Sequence, residues 1–430
     1  MIKRSFSGLS QPRLKYDLVE TDPGGPEIVP DPSDFILLVD DSLNSARTAL
    51  LQKDDRVRKG EKLSLYKDST EYVISPVSGV IQSIESLPGE FGDVKTYLVI
   101  KKDESDESVN DFEQHADKYE LETAAQFLKS LPGAPPFKAL TDPEKKIHTI
   151  VISGVDEDLA ASTRQYFLSA ESEDLKEGIK ILQKLTKAPK IILTIPQGFS
   201  VETQIPGLQV FNIPPFYPNA LSEMIMKNQL KITIPQGKTC EDLGVCFISS
   251  EAVVSLARAY RDKKISYGKL VCVTSKDGVR KRMLVSIGTP VKSIFKQLNI
   301  HINDNDRIIM GGPFKGFSVY NIYHPVEPCT DSIIIQDSGD VPYVSNSACI
   351  NCGKCIRICP VNIPVNLLVR QLEVSRFEDA KEMFDLESCI ECGLCSYVCT
   401  AKIPVFQYIR LGKHELLKIE AEAATEDVNE

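Results

Sequence analysis

Between Phe35 and Lys101 the apolar residues come in short alternating runs broken by turn residues, which is the pattern of brief strands. Asp54–Gly60 reads as a turn between two strands, and Val73–Ile81 as two strand ends joined at Ser78 and Gly79. From His148 the pattern changes. Ile147–Ser153 and Lys190–Ile195 are apolar runs of strand length, and Ser172–Leu185 between them carries Leu175, Ile179 and Leu182 at helical spacing. Strand, helix, strand predicts a parallel sheet with crossover helices. The run Leu208–Ile213, a helix around Ala220–Met226 and a helix over Ser250–Asp262 extend it. Short strands return at Leu270–Thr274, Arg282–Ser286 and Arg307–Met310, with a helix over Val291–Leu298. After Cys349 the chain is helical between cysteine runs, with Pro364–Val374 and Arg376–Phe384 as a helical hairpin.

These patterns divide the 430 residues into several modules, a multidomain α/β chain. Residues 1–34, rich in Pro and Gly, are expected to be an irregular arm. Residues 35–102 read as a barrel-sandwich hybrid domain of the biotinyl/lipoyl type. The hairpin where such carriers hold their modified lysine is Pro76-Val77-Ser78-Gly79 here, with no lysine, so a structural barrel is expected. Lys102–Lys118 is acidic and is expected to be an exposed linker. Residues 119–266 are expected to form a Rossmann-like α/β domain, 267–330 a module resembling a β-grasp, 340–415 a helical domain, and 416–430 a frayed tail.

Composition narrows the function. Apolar residues at 42 % and charged residues at 26 % are ordinary for a globular protein. A net charge of −10 argues against nucleic acid and against broad adhesion to anionic lipid. No run of about 18 apolar residues occurs, and Met1–Ser7 lacks the apolar stretch of a secretory signal. A cytoplasmic chain is expected, in which cysteines stay reduced.

Of twelve cysteines, eight fall between Cys349 and Cys399, in two runs. Cys349, Cys352, Cys355 and Cys359 are spaced C-x2-C-x2-C-x3-C, and so are Cys389, Cys392, Cys395 and Cys399. Two intervening residues let a loop wrap one face of a cubane and present three thiolates, while the fourth cysteine faces the other cluster. Cys349, Cys352, Cys355 and Cys399 are therefore assigned to one 4Fe–4S cluster, and Cys389, Cys392, Cys395 and Cys359 to the other. Gly353 and Gly393 would let backbone N–H groups approach sulfur. Zinc needs only four ligands and leaves the duplicated third and fourth cysteines without a use. Cys246 and Cys272 read as buried small hydrophobes, and Cys240 and Cys329 as potentially exposed. The five histidines are scattered, and no acid–base or nucleophilic constellation stands out.

The module order resembles the C subunit of the Rnf ion-translocating ferredoxin-oxidising complex. More distantly it is similar to the A subunit of the sodium-pumping NADH:quinone reductase and to the NADH/FMN subunit of complex I. The resemblance covers roughly residues 35–412. Its most specific stretches are Asp55–Gly60, Ser75–Gly79, Ile287–Val291, Met310–Gly316, the cysteine runs, and Ala401–Val405 with Tyr408-Ile409-Arg410. The resemblance implies a complex I 51 kDa-type α/β domain and an SLBB-type β-grasp module. It also implies a peripheral subunit on the cytoplasmic face of the cell membrane, with integral membrane partners, and FMN and NADH in the α/β domain.

At the flavin pocket the chain departs from the family. The Gly-rich loop GxGGAxFPxxxK is replaced by Ser130-Leu131-Pro132-Gly133-Ala134-Pro135-Pro136-Phe137-Lys138. Proline offers no N–H and cannot take glycine's positive φ. The Asn-Gly-x-Glu-x-Glu-Pro run becomes Ser153–Leu159, keeping Gly154, Asp156 and Asp158; Tyr-Pro-x-Gly becomes Tyr217-Pro218-Asn219-Ala220; and Phe247 stands at a flavin-contacting asparagine. The pocket near Gly133, Gly154, Asp156 and Tyr217 is expected to be degenerate, with neither FMN nor NADH bound. The expected function is a relay subunit carrying electrons through two clusters, with a ferredoxin-linked subunit or a cytochrome as redox partner. The alternatives are an FMN-dependent NADH oxidoreductase subunit and a non-redox scaffold.

Overall fold

The computed structural model describes residues 12–18, 24–43, 47–69, 71–89, 94–105, 107–200 and 205–429, with side chains to 423. The chain divides into two compact units. One comprises Met1–Lys15, Phe216–Thr239 and Val341–Glu430; the other comprises Tyr16–Pro215 and Cys240–Asp340.

The larger unit holds three layers of strands. Asp34–Val39, Val94–Lys102, Gly79–Pro88 and Arg56–Val57 form an antiparallel sheet, and Lys62–Leu63 pairs with Val73–Ile74. Phe35, Leu37 and Val39 alternate inward to meet Leu98 and Ile100, the two-residue period of a half-buried strand. The turn at Ser75–Gly79 is buried, with Ser75 at 0 % and Val77 at 5 % exposure, so it presents no swinging arm.

Leu208–Ile213, Lys190–Pro196, Thr149–Ser153 and Val245–Ser249 form a wholly parallel sheet in that order. Its inner strands are near-continuous apolar runs because helices cover their faces. Helix Ser172–Thr186 buries Leu175, Ile179 and Leu182 as the periodicity predicts. It crosses helix Ser250–Asp262 closely at Gly178, where a Cβ would stand 2.1 Å from the Val253 carbonyl oxygen. The expected helix around Ala220–Met226 is shorter, a turn over Ser222–Ile225 followed by a wider one to Leu230.

The third sheet runs Glu27–Ile28, Arg280–Ser286, Gly268–Thr274, Ser332–Gln336, Arg307–Met310, Phe317–Val319, and helix Val291–Gln297 packs on it through Val291, Ile294 and Phe295. Two expected boundaries shift. Ser332–Gln336 pairs in parallel with Gly268–Thr274 at the sheet's centre, beyond residue 330. Glu27 and Ile28, from the arm expected to be irregular, add an edge strand against Met283 and Leu284. Three residues between prolines carry no periodic signal, so a tertiary partner decides their conformation. Residues 1–11 and 19–23 of that arm lie outside the described residues.

The acidic linker is also partly corrected. Phe112 and Ala116 are buried in the α/β core, and Val109 N–H donates to the Lys59 carbonyl at 2.7 Å. The acids face outward while two apolar residues anchor the segment. Asp106 lies outside the described residues.

In the smaller unit, helices Val365–Glu373, Phe377–Phe384 and Val405–Asn429 enclose Leu368, Val369, Leu372, Ala380, Leu386, Ile409 and Leu416. The last helix continues through residues 416–429, where a frayed tail was expected. Ala and Glu are strong helix formers, and the helix already nucleated upstream propagates into them.

Candidate metal centre

The two cysteine runs fold alike, with the same left-handed backbone positions recurring forty residues apart. Asn351 and Glu391 have φ of +54° and +51°, Gly353 and Gly393 of +70° and +69°, and Asn362 and Lys402 of +62° and +57°. Each glycine opens a short helix, Lys354–Ile358 or Leu394–Tyr397, which carries the third cysteine. Each fourth cysteine leads into Ile-Pro-Val, at Ile363–Val365 and Ile403–Val405, and then into a long helix. The repeat is thus longer than the cysteine spacing alone indicates.

Cys349, Cys352, Cys355 and Cys399 line one cavity, together with Asn366, Val369, Ala401, Ile403 and Val405. Cys359 lies instead among the second-run thiols. Burial pushes Cys389 up to about 11 and Cys392 up to about 12, and Cys359 adds to the rise at both and at Cys395. Burial raises Cys355 to about 11, with Cys349 and Cys352 contributing.

Backbone N–H groups meet the sulfurs at matching places. Lys354 N–H reaches Cys352 and Leu394 N–H reaches Cys392; Ile356 N–H reaches Cys355 and Ser396 N–H reaches Cys395. Thiols crowded into an apolar space resist ionisation, and bound cationic iron removes that penalty. The donor set therefore fits an all-thiolate 4Fe–4S cluster. Among the described residues, no group of three or more His, Cys, Asp or Glu is close enough to hold a single metal ion.

Side chains distant in sequence brace both loops. Tyr217 donates from its hydroxyl to the Cys392 carbonyl at 2.8 Å. Lys413 Nζ donates to the Cys389 carbonyl at 2.7 Å and to Glu391 Oε1 at 2.9 Å. Lys227 Nζ donates to the Pro360 carbonyl at 2.8 Å. Sequence reasoning placed Tyr217 at a flavin pocket and missed both lysines, because no local spacing connects them to the cysteines.

The residues matched to the flavin loops are engaged within the larger unit. Gly133 lies against the first turn of helix Ser250–Asp262. Its N–H donates to the Pro328 carbonyl at 2.9 Å, its carbonyl accepts from Ser249 Oγ at 3.0 Å, and a Cβ there would stand 2.4 Å from Ala252 N. Gly154 packs on the Thr194 carbonyl. Phe247 lies within the parallel sheet opposite Val151.

Asp156, whose carboxyl burial raises above its usual range, accepts from Arg164 N–H at 2.9 Å and from Gln165 Nε2 at 3.1 Å. Asp158 accepts from the N–H groups of Phe314 and Lys315 at 3.0 and 2.6 Å. Gly312 permits that approach, since a Cβ there would strike the Asp158 carboxyl.

Beside them lies a run of alternating charge that sequence reasoning did not detect. Lys315 and Arg164 hold Glu157, Arg164 Nε lies 3.6 Å from Asp331, and Lys269, fully buried, joins Asp331 to Glu251. The ends of parallel strands are where α/β sheets take ligands. Here the chain's own ion pairs gather just beyond the ends of Thr149–Ser153 and Val245–Ser249.

Comparison with known proteins agrees with the cysteine geometry. Residues 341–400 match a 4Fe–4S dicluster domain, and residues 25–105 match the RnfC barrel sandwich hybrid domain. The C subunit of the proton-translocating ferredoxin:NAD(+) oxidoreductase complex of Clostridium ljungdahlii is 26 % identical, the match covering 90 % of this chain and 89 % of that protein. Its counterpart in the ion-translocating oxidoreductase complex of Vibrio cholerae is 26 % identical over 82 % of this chain and 48 % of its own length, so the chain spans about half of that relative. The Buchnera aphidicola counterpart is 24 % identical over 78 % of this chain and 74 % of its own length. Among solved structures, an NAD+-reducing NiFe-hydrogenase overlaps at a TM-score of 0.45 and 12 % identity, covering 70 % of this chain and 62 % of that one, a level that carries no argument. The chain is RnfC-like, a distant homologue of these proteins over most of its length, with a barrel-sandwich domain and a 4Fe–4S dicluster domain. Among the described residues, no helix is long and apolar enough to cross a membrane.

Proposed function

We propose that this chain is a peripheral electron-relay subunit of an Rnf-type ion-translocating oxidoreductase, with two 4Fe–4S clusters and no FMN or NADH chemistry of its own. Cys349, Cys352, Cys355 and Cys399 would hold one cluster, and Cys389, Cys392, Cys395 and Cys359 the other. When bound, the clusters supply one-electron acceptance and release at low potential. The chain's residues do the rest: they set cluster spacing by crossing the fourth ligands, donate N–H groups to sulfur, and exclude water from the second loop.

The observation that carries the reading is the presence of Cys399 in one cavity with Cys349, Cys352 and Cys355. The absence of flavin chemistry is supported by the ion-paired sheet edge and by Gly133 packed on the helix turn that a phosphate would need. The α/β sheet is read as a complex I 51 kDa-type domain whose pocket has closed. The mixed sheet with one helix is read as an SLBB-type β-grasp. Integral membrane partners on the cytoplasmic side, with a ferredoxin-linked subunit or a cytochrome as redox partner, complete the proposal.

The test is anaerobic purification followed by flavin release and reductive titration. No flavin, with clusters reduced by dithionite and not by NADH, supports the relay. Equimolar FMN and reduction by NADH overturn it in favour of a dehydrogenase subunit. Clusters that accept no electron favour a scaffold.

A further inference from the structure

The two cysteine loops share a backbone but differ sharply in exposure and charge. Ile350 is 63 % exposed and its counterpart Ile390 is 9 %. Cys352 is exposed, whereas Cys392 is 8 % exposed. Lys354 stands in solvent where Leu394, at 4 %, is buried. A duplicated loop has thus kept its ligands while one copy has gone inward and the other outward.

The outward loop has a distinctive rim. Tyr343, Val344 and Tyr397 are 78 %, 49 % and 54 % exposed. The segment bearing Tyr343 and Val344 is tied to the cysteine module by the Ser345 N–H donating to the Lys402 carbonyl at 2.9 Å. Lys354, Arg357 and Lys402 are all exposed. No Asp or Glu occurs from Val341 to Leu372, or from Cys392 to His414, although the chain as a whole has 60 acids and a net charge of −10. Arg410 and Lys413 of the second stretch are matched to Glu391 on the buried loop. Lys354, Arg357 and Lys402 give the exposed loop its basic character.

We infer that the Cys349–Cys355 loop is the electron port of the chain and docks an acidic electron-carrying protein on the basic, aromatic-edged face formed by Tyr343, Ile350, Lys354, Arg357, Tyr397 and Lys402. The inference rests on the relay reading. Exposed apolar and aromatic side chains interspersed with charge suit a transient interface. Opposite charge on the partner gives orientation and fast encounter that weakens with salt. In the second loop Ile390, Cys392 and Leu394 are buried, so its cluster serves as the inner station.

The test uses the anaerobically purified holoprotein with an acidic plant-type 2Fe–2S ferredoxin as probe and a basic cytochrome c as control. Zero-length carbodiimide coupling joins carboxylates to lysines in contact. The inference expects coupling to ferredoxin concentrated at Lys354 and Lys402, lost above roughly 0.5 M salt where the Debye length falls to a few ångströms, and none to cytochrome c there. In the Lys354→Gln/Arg357→Gln/Lys402→Gln variant, ferredoxin affinity measured by calorimetry should fall at least tenfold, with iron content and the EPR spectrum unchanged.

Coupling spread over other lysines, or affinity unaltered in a variant with full iron, overturns the port while leaving the relay intact. A wild-type preparation short of about eight irons per chain overturns the relay itself. Should the triple variant lose iron, the single Lys354→Gln and Lys402→Gln proteins carry the same comparison.

Discussion

The hydroxyl of Tyr217 donates a 2.8 Å hydrogen bond to the carbonyl oxygen of Cys392. Tyr217 is 6 % exposed and lies 175 positions from its partner, so a residue remote in sequence fixes the backbone of the inner cysteine loop. Tyr217→Phe removes the donor and leaves a buried acceptor unpaired, a loss of about 1–3 kcal/mol. We expect a lower midpoint in anaerobic thermal unfolding, and EPR changes confined to one of the two clusters. Equal changes in both signals would show that the contact is not local to the second loop.

Crossed ligation gives a combinatorial prediction. Cys349→Ala with Cys399→Ala removes two ligands of one cluster, and about four irons per chain should remain. Cys349→Ala with Cys359→Ala removes one ligand from each, so both clusters should be lost or labile. Iron and sulfide analysis of the two proteins distinguishes crossed from uncrossed pairing, because an uncrossed pair would reverse the two results.

Gly133 has φ of +86°, and a Cβ there would stand 2.4 Å from Ala252 N. Gly133→Ala should destabilise the larger unit by about 1–3 kcal/mol through backbone strain and overpacking. Cluster content should be unchanged, since the substitution lies in the other unit. Urea unfolding followed by far-ultraviolet dichroism, with iron analysis alongside, checks both halves.

Glu157 gives a pH dependence. Burial works against its charge, but Arg164 and Lys315 outweigh burial and hold the carboxyl at about 2, below the ordinary 4.5. A depressed carboxyl pKa contributes stability that is fully present above the unfolded value and is lost as pH falls from about 4.5 towards 2. Glu157→Gln should cost about 1.5–3 kcal/mol at neutral pH and flatten the decline across that acid window. The check is urea unfolding of wild type and variant at pH 7, 4.5 and 3. A constant difference at all three would mean that the charge of Glu157 does not carry its contribution.

Local rules made much of this molecule legible. The helix expected over Ser250–Asp262 has those limits, and the structure adds Ser249 as its cap, accepting from Ala252 N–H. The cysteine spacing leads to the expectation of crossed fourth ligands, and Cys399 shares a cavity with Cys349, Cys352 and Cys355. Partners far apart in sequence were not legible. Lys269 reads as the polar start of a strand, yet it is fully buried between Glu251 and Asp331, 18 and 62 positions away. Tyr217 carried a family signature, and its contact with Cys392 follows only from how the chain returns on itself. The strand Ser332–Gln336 lies beyond the expected end of its module, and its central place follows only from long-range pairing with Gly268–Thr274 and Arg307–Met310.

The most direct measurement is EPR with metal analysis on the oxygen-free protein reduced by dithionite. We expect about eight irons and eight sulfides per chain and two spin-½ centres close enough to broaden or split each other's lines. Zinc in the cysteine sites, a single centre, or two centres with no magnetic interaction would contradict crossed two-cluster ligation.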